Sequence, residues 1–277
     1  LGFPRKEFIV DIDLSSGRLG DTLRKLASYV HAMHCLNLLL LVKPRLSASA
    51  RVLLSKTSKF EHDLVSVDLI PPMAEYLRSI SANQVFDRSF LASVSSLVLE
   101  GLGSSDDLEL NLDADVLILH VRGGDALFLG ALTLPPLGYY QQAISSQAAQ
   151  RVVVVAEPVL EGRDPCENPV PELIKDWCSS SGIDCVIQSS DSMEIDAATL
   201  FYAKRVVASN SSFSKWLPLY GDSCEFLTIP DSPGGGDHWV QDECITYVDC
   251  WEGFDKEKWK DSLDYRLAWV SGEVQSQ

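Results

Sequence analysis

Asp115-Val-Leu-Ile-Leu-His-Val-Arg-Gly-Gly-Asp125 reads as one strand and the turn that leaves it. Val116 to Val121 is an apolar run interrupted only by His120, the pattern of a strand buried on both faces of a parallel sheet. The run ends in Arg122, Gly123, Gly124 and Asp125. In parallel α/β folds ligands sit beyond the carboxyl ends of the strands. A guanidinium there suits bidentate phosphate binding, and two glycines let a diphosphate approach the backbone closely. The alternative is a plain strand-end turn closed by a surface ion pair.

Around this strand the chain alternates. A helix is expected over Leu137 to Gln150, a strand over Val152 to Ala156, a helix over Val170 to Ser180 and a strand over Asp184 to Gln188. Next comes Asp196-Ala-Ala-Thr-Leu-Phe-Tyr-Ala-Lys-Arg-Val-Val-Ala-Ser-Asn-Ser-Ser-Phe-Ser-Lys-Trp216, read as helix, short strand (Val206 to Ala208), Ser/Asn turn and second helix. Ser209, Asn210, Ser211 and Ser212 put polar groups at a helix N-terminus, where backbone N–H groups and the helix dipole favour anions. Capping alone would also explain the serines. A strand is expected over Glu225 to Ile229, a mobile loop over Ser232 to His238, and a closing helix over Phe254 to Trp269. Alternating strands and helices define a parallel α/β domain.

The chain opens in the same style. Glu7 to Leu14 reads as a strand, Ser15 to Gly20 as a turn, Asp21 to Cys35 as a helix and Leu38 to Val42 as a second strand, a βαβ start. Its glycine spacing, Gly17-Arg-Leu-Gly20, is not Gly-x-Gly-x-x-Gly, and no acidic residue follows the second strand, which argues against a dehydrogenase fingerprint. Val65 to Ile70 as a strand, Met73 to Ile80 as a helix and Ser89 to Leu99 as either fill the region before Gly101-Leu-Gly-Ser-Ser-Asp-Asp107, a turn-rich break. We therefore expect an N-terminal domain over 1–110 and a C-terminal domain over 111–277.

The sequence motifs carry a resemblance. His120-Val-Arg-Gly-Gly-Asp125 resembles the His-x-Arg-x-Gly-Asp motif of the fucosyltransferase superfamily, the α1,2-, α1,6- and protein O-fucosyltransferases. Val207-Ala-Ser-Asn-Ser-Ser-Phe-Ser-Lys-Trp216 is similar to the Ser-Asn-Ser-[Ser/Thr]-Phe-Ser-Trp-Trp motif of the α1,2 branch, and Gly17-Arg-Leu-Gly-Asp-Thr-Leu23 loosely resembles its Gly-Gly-Leu-Gly-Asn-Gln opening. The three stand in family order. The chain departs where many members carry a second Arg (Gly123), a Trp pair (Lys215-Trp216) and Asn-Gln (Asp21-Thr22).

The resemblance implies two Rossmann-like domains facing a cleft, the GT-B glycosyltransferase architecture. The N-terminal domain would lie on the acceptor side and the C-terminal domain would hold the nucleotide sugar. It implies an inverting, metal-independent glycosyltransferase moving fucose from GDP-fucose onto a glycan or glycoprotein hydroxyl, with no cofactor. By the same resemblance Arg122 grips the β-phosphate and stabilises departing GDP. His120 and Asp196 contact the guanine, Ser211 and Ser212 bind the diphosphate with Ser209 and Asn210 in the same turn, and Gly20 lines the donor site. An Asp suits guanine, since it accepts from both N1–H and N2–H₂. Other readings are a core histidine for His120 and a helix N-cap for Asp196. Inverting transfer needs a carboxylate near the acceptor hydroxyl; Asp125 is the first candidate and Asp21 the second. Glu157-Pro158 ends a strand and is a candidate for the cleft wall.

Three other functions compete. A metal-dependent transferase of the other major fold uses an Asp-x-Asp at a strand end, which Asp11-Ile-Asp13 and Asp113-Ala-Asp115 mimic. The first opens the chain, where that fold has its pair after a complete nucleotide-binding half, and the second precedes its strand. A UDP-linked donor, or one carrying xylose, rhamnose or galactose, is the second. The third is a catalytically inactive glycan- or nucleotide-binding module, motivated by the departures at Gly123 and Lys215.

Composition narrows the partners. The formal charge of −16 and pI near 4.6 argue against nucleic acid and anionic membranes. A nucleotide sugar then needs its few cations placed locally. Seven cysteines (Cys35, Cys166, Cys178, Cys185, Cys224, Cys244, Cys250) show no metal-binding spacing, so no zinc site is expected. Six follow residue 160 and suit either one or two disulfides or free buried thiols. The longest apolar run, Leu36 to Val42, is too short to span a bilayer. The chain begins at Leu1 without a signal peptide, so we expect an ectodomain of the Golgi or ER lumen whose anchor lies outside it, or a cytoplasmic enzyme if the source is viral or bacterial. Asn210-Ser-Ser is a glycosylation sequon expected to stay unmodified in a buried turn.

Overall fold

The computed structural model describes residues 7–10, 13–14, 39–42, 45–46, 86–87, 112–123, 125–130, 132–156, 168–188, 193–221, 223–233 and 240–274. The chain divides into two compact units, Leu1–Leu108 with His238–Gln241, and Glu109–Asp237 with Asp242–Gln277.

In the first unit β1 (Glu7–Val10), β2 (Asp13–Leu14), β3 (Leu39–Val42), β4 (Arg45–Leu46) and β5 (Phe86–Asp87) are described. β1 pairs in parallel with β3, Glu7 opposite Leu39 and Val10 opposite Val42, as a βαβ start requires. β2 pairs in parallel with β4, Asp13 opposite Arg45 and Leu14 opposite Leu46. The helix expected over 21–35 and the elements expected over 65–80 and 89–99 lie outside the described residues, as do Gly20 and Asp21.

The second unit holds β6 (Val116–Val121), α1 (Asp125–Leu129), α2 (Leu137–Ser146), β7 (Arg151–Ala156), α3 (Val170–Ser180), β8 (Asp184–Gln188), α4 (Met193–Tyr202), β9 (Arg205–Val207), α5 (Ser212–Tyr220) and β10 (Phe226–Pro230). The chain then gives β11 (Val240–Gln241), which pairs with β5 in the first unit, and returns with β12 (Ile245–Val248), α6 (Lys256–Asp261) and α7 (Leu263–Val270).

Six strands form one all-parallel sheet in the order β12-β10-β9-β6-β7-β8. Counted by appearance in this unit, that order is 3-2-1-4-5-6 from the β8 edge. The chain winds outward from β6 to β8, then crosses back to start again at β9. The strand order therefore reverses between β6 and β9, and the crevice beyond their carboxyl ends is where such sheets take their ligands.

Both faces are covered, which is why β6 is apolar but for His120. Leu117, Leu119 and Val121 point into one cluster with Tyr139 and Ile144 of α2, Ile174 and Cys178 of α3, Trp259 of α6 and Trp269 of α7. The alternate set, Val116, Ile118 and His120, is also buried and faces the other side. There α4 and α5 pack on each other with Ala197, Phe201, Trp216 and Leu217 buried. Each such Leu or Val stabilises the fold by roughly 1.5–3 kcal/mol.

The single closing helix expected over Phe254 to Trp269 is instead two. Ser262 sits between them in extended conformation, ends α6 with its N–H on the Lys258 carbonyl, and caps α7 by accepting from the Tyr265 N–H. Serine is among the strongest N-caps, and it resets the helix here. The helix expected to reach Gln150 stops at Ser146, because Ala148 takes a positive φ of 47°. β12 and α1 are additions the sequence reading did not contain. The loop expected over 232–238 is described only to residue 233. Cys178 and Cys185 lie close enough for their sulfurs to interact, and burial raises the pKa of both; Cys35 and Cys166 lie outside the described residues.

Candidate functional site

The carboxyl end of β6 delivers His120 and Arg122, and the end of β9 delivers the turn Ser209-Asn210-Ser211 that starts α5. These two ends meet. His120 Nδ1 lies 2.7 Å from Ser209 Oγ, and Arg122 Nη1 donates to Ser211 Oγ at 3.2 Å. Both pairs span 89 residues of sequence, so they are made by the β6–β9 adjacency alone.

His120 is buried, with its ring 5.6 Å from that of Phe213. Desolvation lowers its pKa to about 4, so it is a neutral imidazole at neutral pH. With Nδ1 engaged by Ser209, any ligand contact falls to Nε2. Ser209 is fully buried, and its Oγ also lies 3.5 Å from Ser214 Oγ.

Ser211 occupies the N-cap position of α5, yet its side chain makes no capping bond. Its hydroxyl accepts from Arg122 instead. Capping alone thus does not account for this serine, and the Arg122 guanidinium reaches its hydroxyl across the switch point. Ser212 begins α5 and is half-buried. Asn210 turns the other way. Its Nδ2 donates to the carbonyl and hydroxyl of Thr133, both at 3.1 Å, and its Oδ1 accepts from Lys215 Nζ at 2.9 Å. The sequon amide is thereby tied into the fold.

Asp196 lies inside α4, so the N-cap alternative is corrected: it is the fourth helical residue. It is buried, and its Oδ1 accepts from Gln188 Nε2 at 2.9 Å. Gln188 is the last residue of β8, two strands from β6, and it also contacts Thr199. Asp196 is thus held at the carboxyl edge of the sheet, not in the Arg122–Ser211 pair itself. Asp125 is the first residue of α1, immediately downstream of Arg122 and Gly123. Glu157 and Pro158 lie outside the described residues.

Several residues that build this end were not singled out by sequence. Tyr139 donates to the Ala208 carbonyl at 2.9 Å and to that of Thr228 at 3.1 Å, fixing the end of β9 against β10. Tyr140 reaches the His120 carbonyl at 3.4 Å. Asn168 Nδ2 donates to the Arg122 carbonyl at 3.0 Å. Asn168 precedes a proline, a turn signal readable in sequence; the tyrosines read only as helix core. Arg266 of α7 is buried and holds the segment that follows the site, donating to the carbonyls of Trp259 (2.7 Å), Lys260 (3.1 Å) and Phe128 (2.8 Å).

Fold and site together define a parallel α/β protein with a cation, a neutral imidazole and a hydroxyl-rich helix start gathered at the switch point of its sheet. Such a place binds an anionic group by charge and by directed donors. No group of three His, Cys, Asp or Glu side chains arranged to hold a metal occurs among the described residues.

No protein-family model matches the chain, and no curated protein matches it either. Solved structures do. The chain is similar to POFUT1 in complex with GDP, at 11% identity and a TM-score of 0.47, covering 78% of this chain and 96% of that one. It is similar to ADP-heptose LPS heptosyltransferase II of E. coli, at 10% identity and a TM-score of 0.48, covering 95% and 98%. A third is the E. coli heptosyltransferase WaaC with ADP-2-deoxy-2-fluoro heptose, at 12% identity and 0.44, covering 88% and 93%.

Proposed function

We propose that this chain is an inverting, metal-independent glycosyltransferase of the GT-B type that moves fucose from GDP-fucose onto a glycan or glycoprotein hydroxyl. The observation that carries the reading is the meeting of Arg122 on β6 with Ser211 at the start of α5, at the point where the 3-2-1-4-5-6 strand order reverses. The fucosyltransferase-like motifs supply these two ends.

In this reading the diphosphate of the donor lies over the α5 N-terminus. The acceptor oxygen forms its bond to the sugar's anomeric carbon from the face opposite the leaving group and loses its proton to a carboxylate. The bond from that carbon to the phosphate oxygen breaks, and its electron pair stays on GDP. Negative charge thus grows on the β-phosphate as the transition state forms. Arg122, held by Ser211, is placed to stabilise it. Neutral His120 offers Nε2 without adding charge. Asp196, with Oδ1 fixed by Gln188, serves the guanine edge. Asp125 or Asp21 takes the proton, and Gly20 gives the donor room. The acceptor is read by the N-terminal half.

Among the described residues no helix is long and apolar enough to cross a membrane. We propose that the enzyme works in the secretory lumen, or in the cytoplasm of a bacterial or viral source. The binding-module alternative draws on Gly123, which contributes no second cation. The experiment is turnover of GDP-fucose in EDTA with and without a glycan acceptor. Release of GDP supports the enzyme. Binding without any release, even of sugar to water, contradicts it and leaves the module. Turnover of a UDP sugar in preference keeps the transferase and discards fucose.

A further inference from the structure

We propose that Asn168 is the positioning residue of Arg122, and that Gly123 is glycine because Asn168 occupies the space beside it. The inference rests on the phosphate-binding role given to Arg122 above.

The last register pair of β6 with β7 is Val121 opposite Ala156. Arg122 is the next residue along the chain, at the carboxyl end of the strand. One end of the Asn168 carboxamide, Nδ2, donates to the Arg122 carbonyl at 3.0 Å. The other end, Oδ1, accepts from the Val170 N–H at 3.1 Å, one of the donors that the first turn of α3 leaves without a helical partner. A single planar group therefore ties the peptide that carries the guanidinium to the start of a helix packed in the core.

The fit is tight at the next position, where an added side chain would make Asn168 give way by a few tenths of an ångström. A Cβ built on Gly123 would lie 3.0 Å from Asn168 Cβ and 3.2 Å from its Nδ2, closer than ordinary van der Waals contact. The glycine is buried. Its value here is the close approach of another residue, not a special backbone angle.

The chemistry requires an amide. Asp would keep the acceptor for Val170 but set a carboxylate oxygen against the Arg122 carbonyl. Serine would keep the short turn bond to Val170 and fall short of Arg122. Either change removes the Asn168 bond to the Arg122 peptide while leaving the start of α3 bonded. The guanidinium is 3.2 Å from Ser211 with that peptide bonded to Asn168, and small misplacements of a positioned group cost binding and rate steeply.

The test measures GDP and guanosine binding by calorimetry, together with thermal melts, on wild type, Asn168→Asp, Asn168→Ser, Arg122→Ala and the Arg122→Ala/Asn168→Ser double variant. The expected result is a roughly tenfold loss of GDP affinity in either Asn168 variant, with guanosine affinity unchanged. In the Arg122→Ala background the second change adds nothing, because the residue it positions is gone. Wild-type affinity for GDP in both Asn168 variants overturns the inference alone. So does a loss of the same size with and without Arg122, which marks a structural role. Wild type without affinity for GDP overturns the phosphate reading and the inference with it.

Discussion

Arg122 Nη1 donates to Ser211 Oγ at 3.2 Å, joining two strand ends that are 89 residues apart in sequence. The bond uses the hydroxyl that would otherwise cap α5. It sets a guanidinium at the start of a helix, whose dipole favours negative charge at that end and not a cation. An anion between them satisfies both.

Arg122→Ala therefore weakens binding of a nucleoside diphosphate more than it weakens the fold. A charged hydrogen bond contributes about 1.5–3 kcal/mol, which corresponds to a 10- to 150-fold rise in Kd. Calorimetry with GDP reads the first effect and a urea titration the second. A large stability loss with unchanged Kd contradicts the assignment.

His120 makes stability depend on pH in a defined window. Its folded pKa of about 4 lies below the ordinary 6.5, because burial disfavours the charged ring. Between those values the unfolded chain holds a proton that the folded chain lacks. The contribution is complete above pH 6.5 and is lost as pH falls toward 4, by up to about 3 kcal/mol. Urea unfolding at pH 7.5 and pH 5 should show the fall in wild type and a shallower one in His120→Gln. Equal slopes would remove His120 as the cause.

Tyr139→Phe removes the hydroxyl shared by the Ala208 and Thr228 carbonyls. The Thr228 carbonyl keeps the Ala208 N–H as a donor at 2.8 Å, so the loss falls mainly at Ala208, next to Ser209. About 1–2 kcal/mol of stability should go. Guanidinium unfolding measures it, and an unchanged midpoint would count against the bond.

Gly130→Ala tests the Arg266 clamp. Gly130 has φ 62°, and a Cβ there would stand 2.8 Å from Arg266 Nη1 and 3.0 Å from the Trp259 carbonyl. Both the positive φ and the contact oppose a side chain, so a loss of about 1 kcal/mol or more is expected. Gly138→Ala, where an added Cβ meets nothing within 4 Å, is the control and should leave the melting temperature nearly unchanged.

The central strand Val116–Val121 was legible because a parallel strand covered on both faces is apolar along most of its length. The edge strand Asp184–Gln188, half-exposed, also came out residue for residue, from its short Cys-Val-Ile run between polar ends. The motif ends His120, Arg122 and Ser209–Ser211 were legible as residue types. Their meeting was not, since strand order is decided by long-range packing and no local pattern encodes that β9 lies beside β6. Asn168 and Tyr139 were missed for the same reason; their partners lie 46 and 69 residues away. The break at Ser262 was readable, since a serine before a new apolar period is a start signal, but the periodicity around it was given more weight.

The most direct measurement is a thermal-shift panel of GDP, UDP, GDP-fucose and UDP sugars in EDTA, on wild type and Arg122→Ala. A ligand that binds only the folded state at a hundred times its Kd adds about 2.7 kcal/mol of stability. The account predicts stabilisation by GDP and GDP-fucose in wild type, undiminished by EDTA and absent in Arg122→Ala. No shift with any nucleotide, or an equal shift in Arg122→Ala, would contradict it.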